Sequence, residues 1–231
     1  MIVEIGHYAL VLALALSLVT GVAPLVGALR RDQALMDVAR PAAFMQFLLV
    51  AGAFTALTYA HIVSDFSVIN VIENSHSMKP MIYKISGVWG NHEGSMLLWV
   101  LILAIFGGAV ALWPRFMPRD LRALVIAAQS WIAVAFLSFI LLTSNPFARA
   151  GMPPIEGNDL NPILQDPGLA IHPPLLYIGY VGFSVAFSFA AAALISGRID
   201  AAWARFVRPW ILIAWVFLTL GIAMGSYWAY Y

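Results

Sequence analysis

The 231-residue chain is 62% hydrophobic and only 10% charged, against roughly a quarter charged in an ordinary soluble domain, so its setting is a membrane. A net charge of +1 gives no basis for a nucleic-acid partner, and the absence of cysteine excludes disulfides, thiolate metal sites and thioether attachment of a prosthetic group to this chain.

A spanning helix needs about 20 mostly apolar residues. Six such runs lie near 5–29, 42–63, 94–113, 121–143, 173–196 and 209–228. The fold class predicted is an all-α polytopic membrane protein with about six transmembrane helices, forming one membrane domain over 1–231. The first run carries Glu4 and His7 ahead of its apolar stretch instead of a basic segment, so it reads as a retained helix and not a signal peptide.

The connections divide the charges. Arg30, Arg31, Arg40, Arg115, Arg119, Arg122, Arg198, Arg205 and Arg208 fall in the loops after the first, third and fifth runs, and only Lys79, Lys84 and Arg149 fall on the other side. The positive-inside rule makes the arginine-rich side cytoplasmic and puts both ends of the chain outside, together with the two long connections 64–93 and 144–172. Within 64–93, the β-branched and aromatic runs "SDFSVINVIENS" and "MIYKISGVWG" around Asn74, Ser75, Ser77 and Pro80 predict a short surface hairpin. The 144–172 loop, dense in Asn-Pro, Pro-Pro and Asp-Pro-Gly steps, predicts a rigid series of turns.

In "WGNHEGSMLLW" (89–99), Asn91 is placed to cap the third long helix, with Glu93 in its first turn where the dipole favours a carboxylate. A second reading makes Trp89, His92 and Glu93 an outer docking surface. His172 precedes Pro173 and Pro174, which places it at a helix entrance. It reads either as a helix-entrance histidine bonded to its own loop, or as an axial metal ligand on a proline-stiffened mount, with Asp166 or a loop carbonyl orienting its second ring nitrogen. His61 and His92 sit at outer helix ends, where an amphipathic ring suits the headgroup level, and His7 and His76 read as solvated or interfacial. No histidine lies in the middle of a run, which argues against a b-type cytochrome subunit. Gln46 and Gln129 are the most polar side chains well inside the runs, too little for a proton relay. Glycine spacing of the helix-packing kind carries little weight. The sixth run ends in "GSYWAYY", an aromatic belt in which Trp228 also offers a flat face for a porphyrin.

Three stretches, "WGNHEGSMLLWV", "IEGNDLNPILQDPGLAIHPPLLYIGYVGFSVAF" and "ARFVRPWILIAWVFLTLGIAMGSYWAYY", resemble the N-terminal part of the CcmF family, the haem lyase subunits of the bacterial-type cytochrome c maturation system. The resemblance runs through essentially the whole chain, including "MIVEIGHYALVLALALSLV" and "FILLTSNPFARAGMPPIEG". It implies a multi-pass protein of the bacterial inner membrane, or of the mitochondrial inner membrane. The implied chemistry joins the vinyl groups of haem b, received from the chaperone CcmE, to a Cys-x-x-Cys-His motif of apocytochrome c on the outer face. CcmH and CcmI-like subunits are the implied partners, with membrane lipids around the helices.

The resemblance also implies that His172 is an axial ligand to the haem iron and that no catalytic residue lies in this chain. The family's second outer ligand, its tryptophan-rich WWD motif and its intramembrane haem ligands lie further along than these residues. The chain by itself is therefore expected not to be a competent lyase. Both a shortened copy and one product of a split gene, completed by the downstream half, fit this pattern. A non-catalytic scaffold for the chaperone and the apocytochrome-presenting subunits is the rival reading, and a transport function is weaker still.

Overall fold

The structure is a computed structural model that describes residues 1–113 and 117–230. Arg115, counted above among the arginines of one side, lies outside the described residues, as does Tyr231. Helices α1 (Ile2–Arg30), α3 (Ala39–Ile62), α6 (His92–Leu112), α7 (Arg119–Thr143), α8 (Pro167–Ser196) and α9 (Ala201–Tyr230) account for the six apolar runs. Each is long and apolar enough to cross a membrane, α3 doing so together with the short α2 (Gln33–Asp37) that leads into it. At 1.5 Å per residue the 29-residue α1 is ~43 Å long, more than a hydrocarbon layer of about 30 Å. Helices dominate for a simple reason: lipid offers no partners to backbone N–H and C=O groups, and a helix satisfies them within one segment.

The six long helices alternate in direction. One end carries the arginine-rich connections; the other carries the long loops and the chain's first residues, where Arg149 pairs with Glu4. Helix α1 packs on α3 and α7, α3 also on α6, and α9 packs principally against α8. Between α7 and α8 the amide of Gln129 donates to Ser184 Oγ at 3.0 Å and Ser188 Oγ at 3.1 Å. Gln129 is buried, so this polar contact is spent between helices and not on a proton path, as expected for a polar group inside a bundle.

The loop-bearing end differs from the expectation of a hairpin. The two β-branched runs form short helices, α4 (Ile69–Asn74) and α5 (Met81–Ser86), and no strand occurs among the described residues. A lone hairpin needs a sheet or core to hold it; here the extended bonds go instead to the other loop. Val68 bridges Arg149, Ile69 N–H donates to Ala148 O at 2.9 Å and Ala150 N–H donates to Ser67 O at 3.0 Å. Further on, Asn158 N–H donates to Ile72 O at 2.7 Å, and the Glu156 carboxylate accepts from the Ser77 amide at 2.9 Å. The buried Lys79 ammonium donates to Asn74 O at 2.8 Å and faces Asp159 at 3.4 Å. The two loops are thus one connected cap.

Burial pushes the Lys79 ammonium below its ordinary pKa, with Asp159 acting against that shift. Glu156 is held below its ordinary 4.5 by the Ser77 hydroxyl and amide. For Asp159, burial raises the pKa, but the Leu160 amide, Gln165 and Lys79 outweigh it and leave the group below its ordinary 3.8. Both folded-state carboxyl values are depressed, so the unfolded loops bind protons more readily, and the contribution is present above the ordinary carboxylate range and lost as pH falls through the depressed values. Hydrogen exchange at Ser77, Asn158 and Asp159, corrected for intrinsic rate, is therefore expected to accelerate selectively on acidification below pH 4, ahead of the helix cores. Uniform protection down to the pH at which the whole chain unfolds would show that these carboxylates do not hold the cap.

Candidate functional site

The site expected around His172 forms where α8 begins and α9 ends. Asp166 caps α8, its Oδ1 accepting from Gly168 N–H at 2.6 Å, and Pro167 takes the first helical position. The helix therefore starts at Pro167 and not at Pro173, and His172 lies in its second turn instead of at the entrance. The physical reason is the Asp-Pro step itself: a capping side chain followed by a residue with φ already preset starts a helix. Pro173 and Pro174 sit inside α8 and cannot donate to the carbonyls of residues 169 and 170. Asp166, engaged as the cap, is not the partner of the imidazole.

That partner is on α9. His172 Nδ1 lies 2.8 Å from the carbonyl oxygen of Gly221. A carbonyl only accepts, so Nδ1 carries a proton, and in the neutral ring the lone pair is on Nε2. The ring fits because residue 225 is glycine: a Cβ there would stand 2.5 Å from His172 Cε1 and 2.9 Å from Nδ1. Further down the same pair of helices, a Cβ on Gly179 would strike the Leu218 backbone at 2.3 Å. The Gly221-x-x-x-Gly225 spacing is the sequence signal for this close approach.

Trp228 stands with its ring centre 6.0 Å from that of His172, tilted 48°. It packs over Gly168, where a Cβ would meet its indole at 2.5 Å. Beside the pair opens a cavity of about 340 Å³ lined by Asp166, Ile171, Met224, Tyr227 and Trp228 among others. An oriented imidazole and an indole face thus meet at the loop-bearing end, with the cavity opening on the Trp228 side of the pair and lined by His172's neighbours.

The other histidines are not brought here. His7 stacks on Phe147, His76 Nδ1 accepts from the Met78 amide at 3.1 Å, and His92 lies 3.4 Å from Ser144 Oγ with its ring edge-on to Phe139. His61 is not at a headgroup surface; it is fully buried, and neither ring nitrogen has a hydrogen-bond partner among the described residues. No group of three or more His, Asp or Glu suited to a metal ion occurs among the described residues. Of the three residues considered for docking, Trp89 stacks on Phe54 and Glu93 is the acceptor of a long contact from Asn70 at 3.4 Å, which leaves His92 as the exposed one. Asn91 caps α6 as its sequence position suggests, accepting from Gly94 N–H at 2.8 Å.

Residues 89–231 match the family described as cytochrome C assembly protein. Over its whole length the chain is 69% identical to the cytochrome c-type biogenesis protein CycK of Bradyrhizobium diazoefficiens and 54% identical to the cytochrome c-type biogenesis protein CcmF of Escherichia coli, covering 35% and 36% of them. Among solved structures it is similar to a cytochrome c haem lyase CcmF, with a TM-score of 0.87 and 31% identity over all of this chain and 36% of that one. The chain thus spans about a third of the length of the relatives it matches.

The notch at residue 225 generates a test that needs no cofactor. Gly225→Ala should push the imidazole away from the Gly221 carbonyl and raise the share of the Nε2-protonated tautomer, read from ¹⁵N shifts of labelled histidine. An unchanged tautomer population would mean that the notch does not set the ring's position.

Proposed function

Because the chain belongs to the cytochrome C assembly protein family, we propose that it takes part in cytochrome c maturation as a membrane component that holds haem b at its loop-bearing end, with His172 as one axial ligand. The observation that carries this reading is the bond from His172 Nδ1 to Gly221 O. Fixing one ring nitrogen as the donor leaves the other free for iron, the arrangement by which ligating histidines are usually oriented.

The residues present fit one side of such a group. His172 supplies a nitrogen of defined tautomer, Trp228 an aromatic wall and the adjacent cavity an apolar approach. They do not supply the second axial nitrogen, since His7, His76 and His92 are engaged elsewhere and His61 is buried. That ligand comes from outside this chain. Bound haem supplies the vinyl groups that become thioethers and an iron whose potential its axial ligands tune. The protein's part is positional. His172 would hold the iron through its free ring nitrogen, and Trp228 would pack against the ring. Their mounting on two packed helices keeps the geometry constant while an incoming polypeptide is presented, and positioning of this kind lowers a barrier by several kcal/mol, roughly, when it is complete.

The arginine-rich end faces the cytoplasm of a bacterial inner-membrane protein in this reading, and the loop cap faces the periplasm. There the cap, with His92 as the exposed member of the Trp89, His92 and Glu93 group, is the surface open to a CcmE-type chaperone, CcmH and CcmI-like subunits and apocytochrome c. Reporters active only in the cytoplasm, placed beside Arg31, Arg119 and Arg205, should all be active, and one placed beside Asn158 should be silent. A single reversed loop refutes the orientation.

In a complex completed by the remaining two thirds found in the relatives, His172→Ala should reduce cytochrome c maturation at least about tenfold, the size of one lost positioning contact of roughly 1.4 kcal/mol. Membrane insertion should be unchanged and the haem absorption spectrum altered, with partial recovery on adding imidazole. Normal maturation and an unchanged spectrum would refute ligation and favour the scaffold reading. His92→Ala is the control expected to leave the spectrum unchanged.

A further inference from the structure

The opposite end of the molecule holds a feature that haem handling does not use. Between α1, α7 and α8, at the arginine-rich end, opens a cavity of about 550 Å³ whose lining includes Arg31, Gln33, Met36, Arg119, Asp120 and Arg198. A second space of about 500 Å³ continues along the same three helices, walled by Leu25, Ala128, Trp131, Ala135 and Phe187. Leu124 and Ile195 line both. A charged chamber therefore opens into an apolar groove running toward the bilayer centre.

We propose that this composite space is a binding site for one anionic phospholipid, its phosphate among Arg31, Arg119 and Arg198 and one acyl chain in the groove beside Trp131.

The charges favour an anion. Asp120 faces Arg198 at 2.9 Å, and Asp37 approaches Arg119 at 3.7 Å, with Gln33 also bonded to Arg119. Arg31 has no ion-pair or hydrogen-bond partner for its guanidinium among the described residues. It also adopts φ 59, the left-handed position that ends α1, where glycine is the usual occupant. Ala128 and Ala135 leave the groove open, and Gly21 makes room for the Trp131 indole, since a Cβ there would come within 3.2 Å of it. A free phosphate would use only the chamber, and a neutral lipid only the groove. The contiguity of the two selects a lipid with a charged headgroup, the type of ligand that basic pockets between spanning helices take.

Native mass spectrometry of the intact chain in mild detergent, titrated with phosphatidylglycerol or phosphatidylcholine, tests the proposal. Phosphatidylglycerol should bind at least roughly fivefold more tightly, the effect of about one basic side chain at a membrane surface. Arg31→Gly should abolish most of that preference without loss of thermal stability, because glycine suits the left-handed backbone. Ala135→Phe, which fills the groove, should weaken both lipids while leaving the arginines in place. Millimolar inorganic phosphate should compete poorly. Equal retention of the two lipids, or a preference unaffected by Arg31→Gly, would overturn the proposal. So would full displacement by phosphate, which would indicate an anion site without a lipid.

Discussion

The contact on which the site around His172 depends is the close antiparallel packing of α8 on α9. In lipid there is no hydrophobic drive to press two helices together, so close association relies on dispersion contacts and on backbones that can approach. Gly179, Gly221 and Gly225 permit that approach: a Cβ on any of them would fall within 3 Å of the facing helix. The same proximity lets a side chain of α8 reach a backbone carbonyl of α9. His172 is oriented by helix packing and not by its own loop, and its geometry inherits the rigidity of two long helices instead of the mobility of a surface segment.

A second set of constraints closes the loop-bearing end. The two long connections pair through backbone bonds around Val68 and Arg149 and through carboxylates that receive amides and a buried ammonium. Arg149 links this cap to both Glu4 and Asp65. Glu4, Asp65, Glu156 and Asp159 at this end are therefore engaged in structure, while Glu73 and His92 stay exposed. The interhelical contacts are different in kind: Gln129 with Ser184 and Ser188 in the interior, and Ser95 with Tyr177 at 2.7 Å nearer the loop-bearing end. They are neutral, local and fully partnered, as polar groups between spanning helices need to be.

The spanning helices were legible because length and hydropathy alone decide what crosses a bilayer, and the Asn91 cap was legible because capping is a local affair. Four features were not. The 69–86 region carries strand-favouring residues, but such preference expresses itself only against a neighbouring strand, and none is present there. The Asp166–Pro167 step is a local helix start, but it stands in a run of Asn-Pro, Pro-Pro and Asp-Pro-Gly steps that also form turns, so in sequence it reads as one of them. His61 looked interfacial by position, yet the loops fold over it, and no local pattern announces that. The imidazole's true partner was illegible for the same reason: a backbone carbonyl has no sequence signature, and only the glycine spacing at 221 and 225 hinted that a backbone would come so near.

Placing His172 one turn inside α8 has a mechanical consequence. A residue at a helix start is positioned by both helix and loop, so anything that moves the loop moves it. Here the Asp166 cap and Pro167 terminate the loop's influence before residue 172, and the α9 carbonyl holds the far side of the ring. The preceding loop, which bears Glu156 and Asp159, is tied instead to the region of α4 and α5. The cap and the imidazole thus rest on different supports, one ionic and pH-sensitive, the other built from neutral groups and close packing. Pro173 and Pro174 sharpen this separation, since the carbonyls they leave undonated weaken the helical ladder just ahead of His172 and concentrate any bending there, while the glycine seam below holds the ring's own turn against α9. A displacement of the cap would therefore leave the imidazole in register, because the two do not share a support.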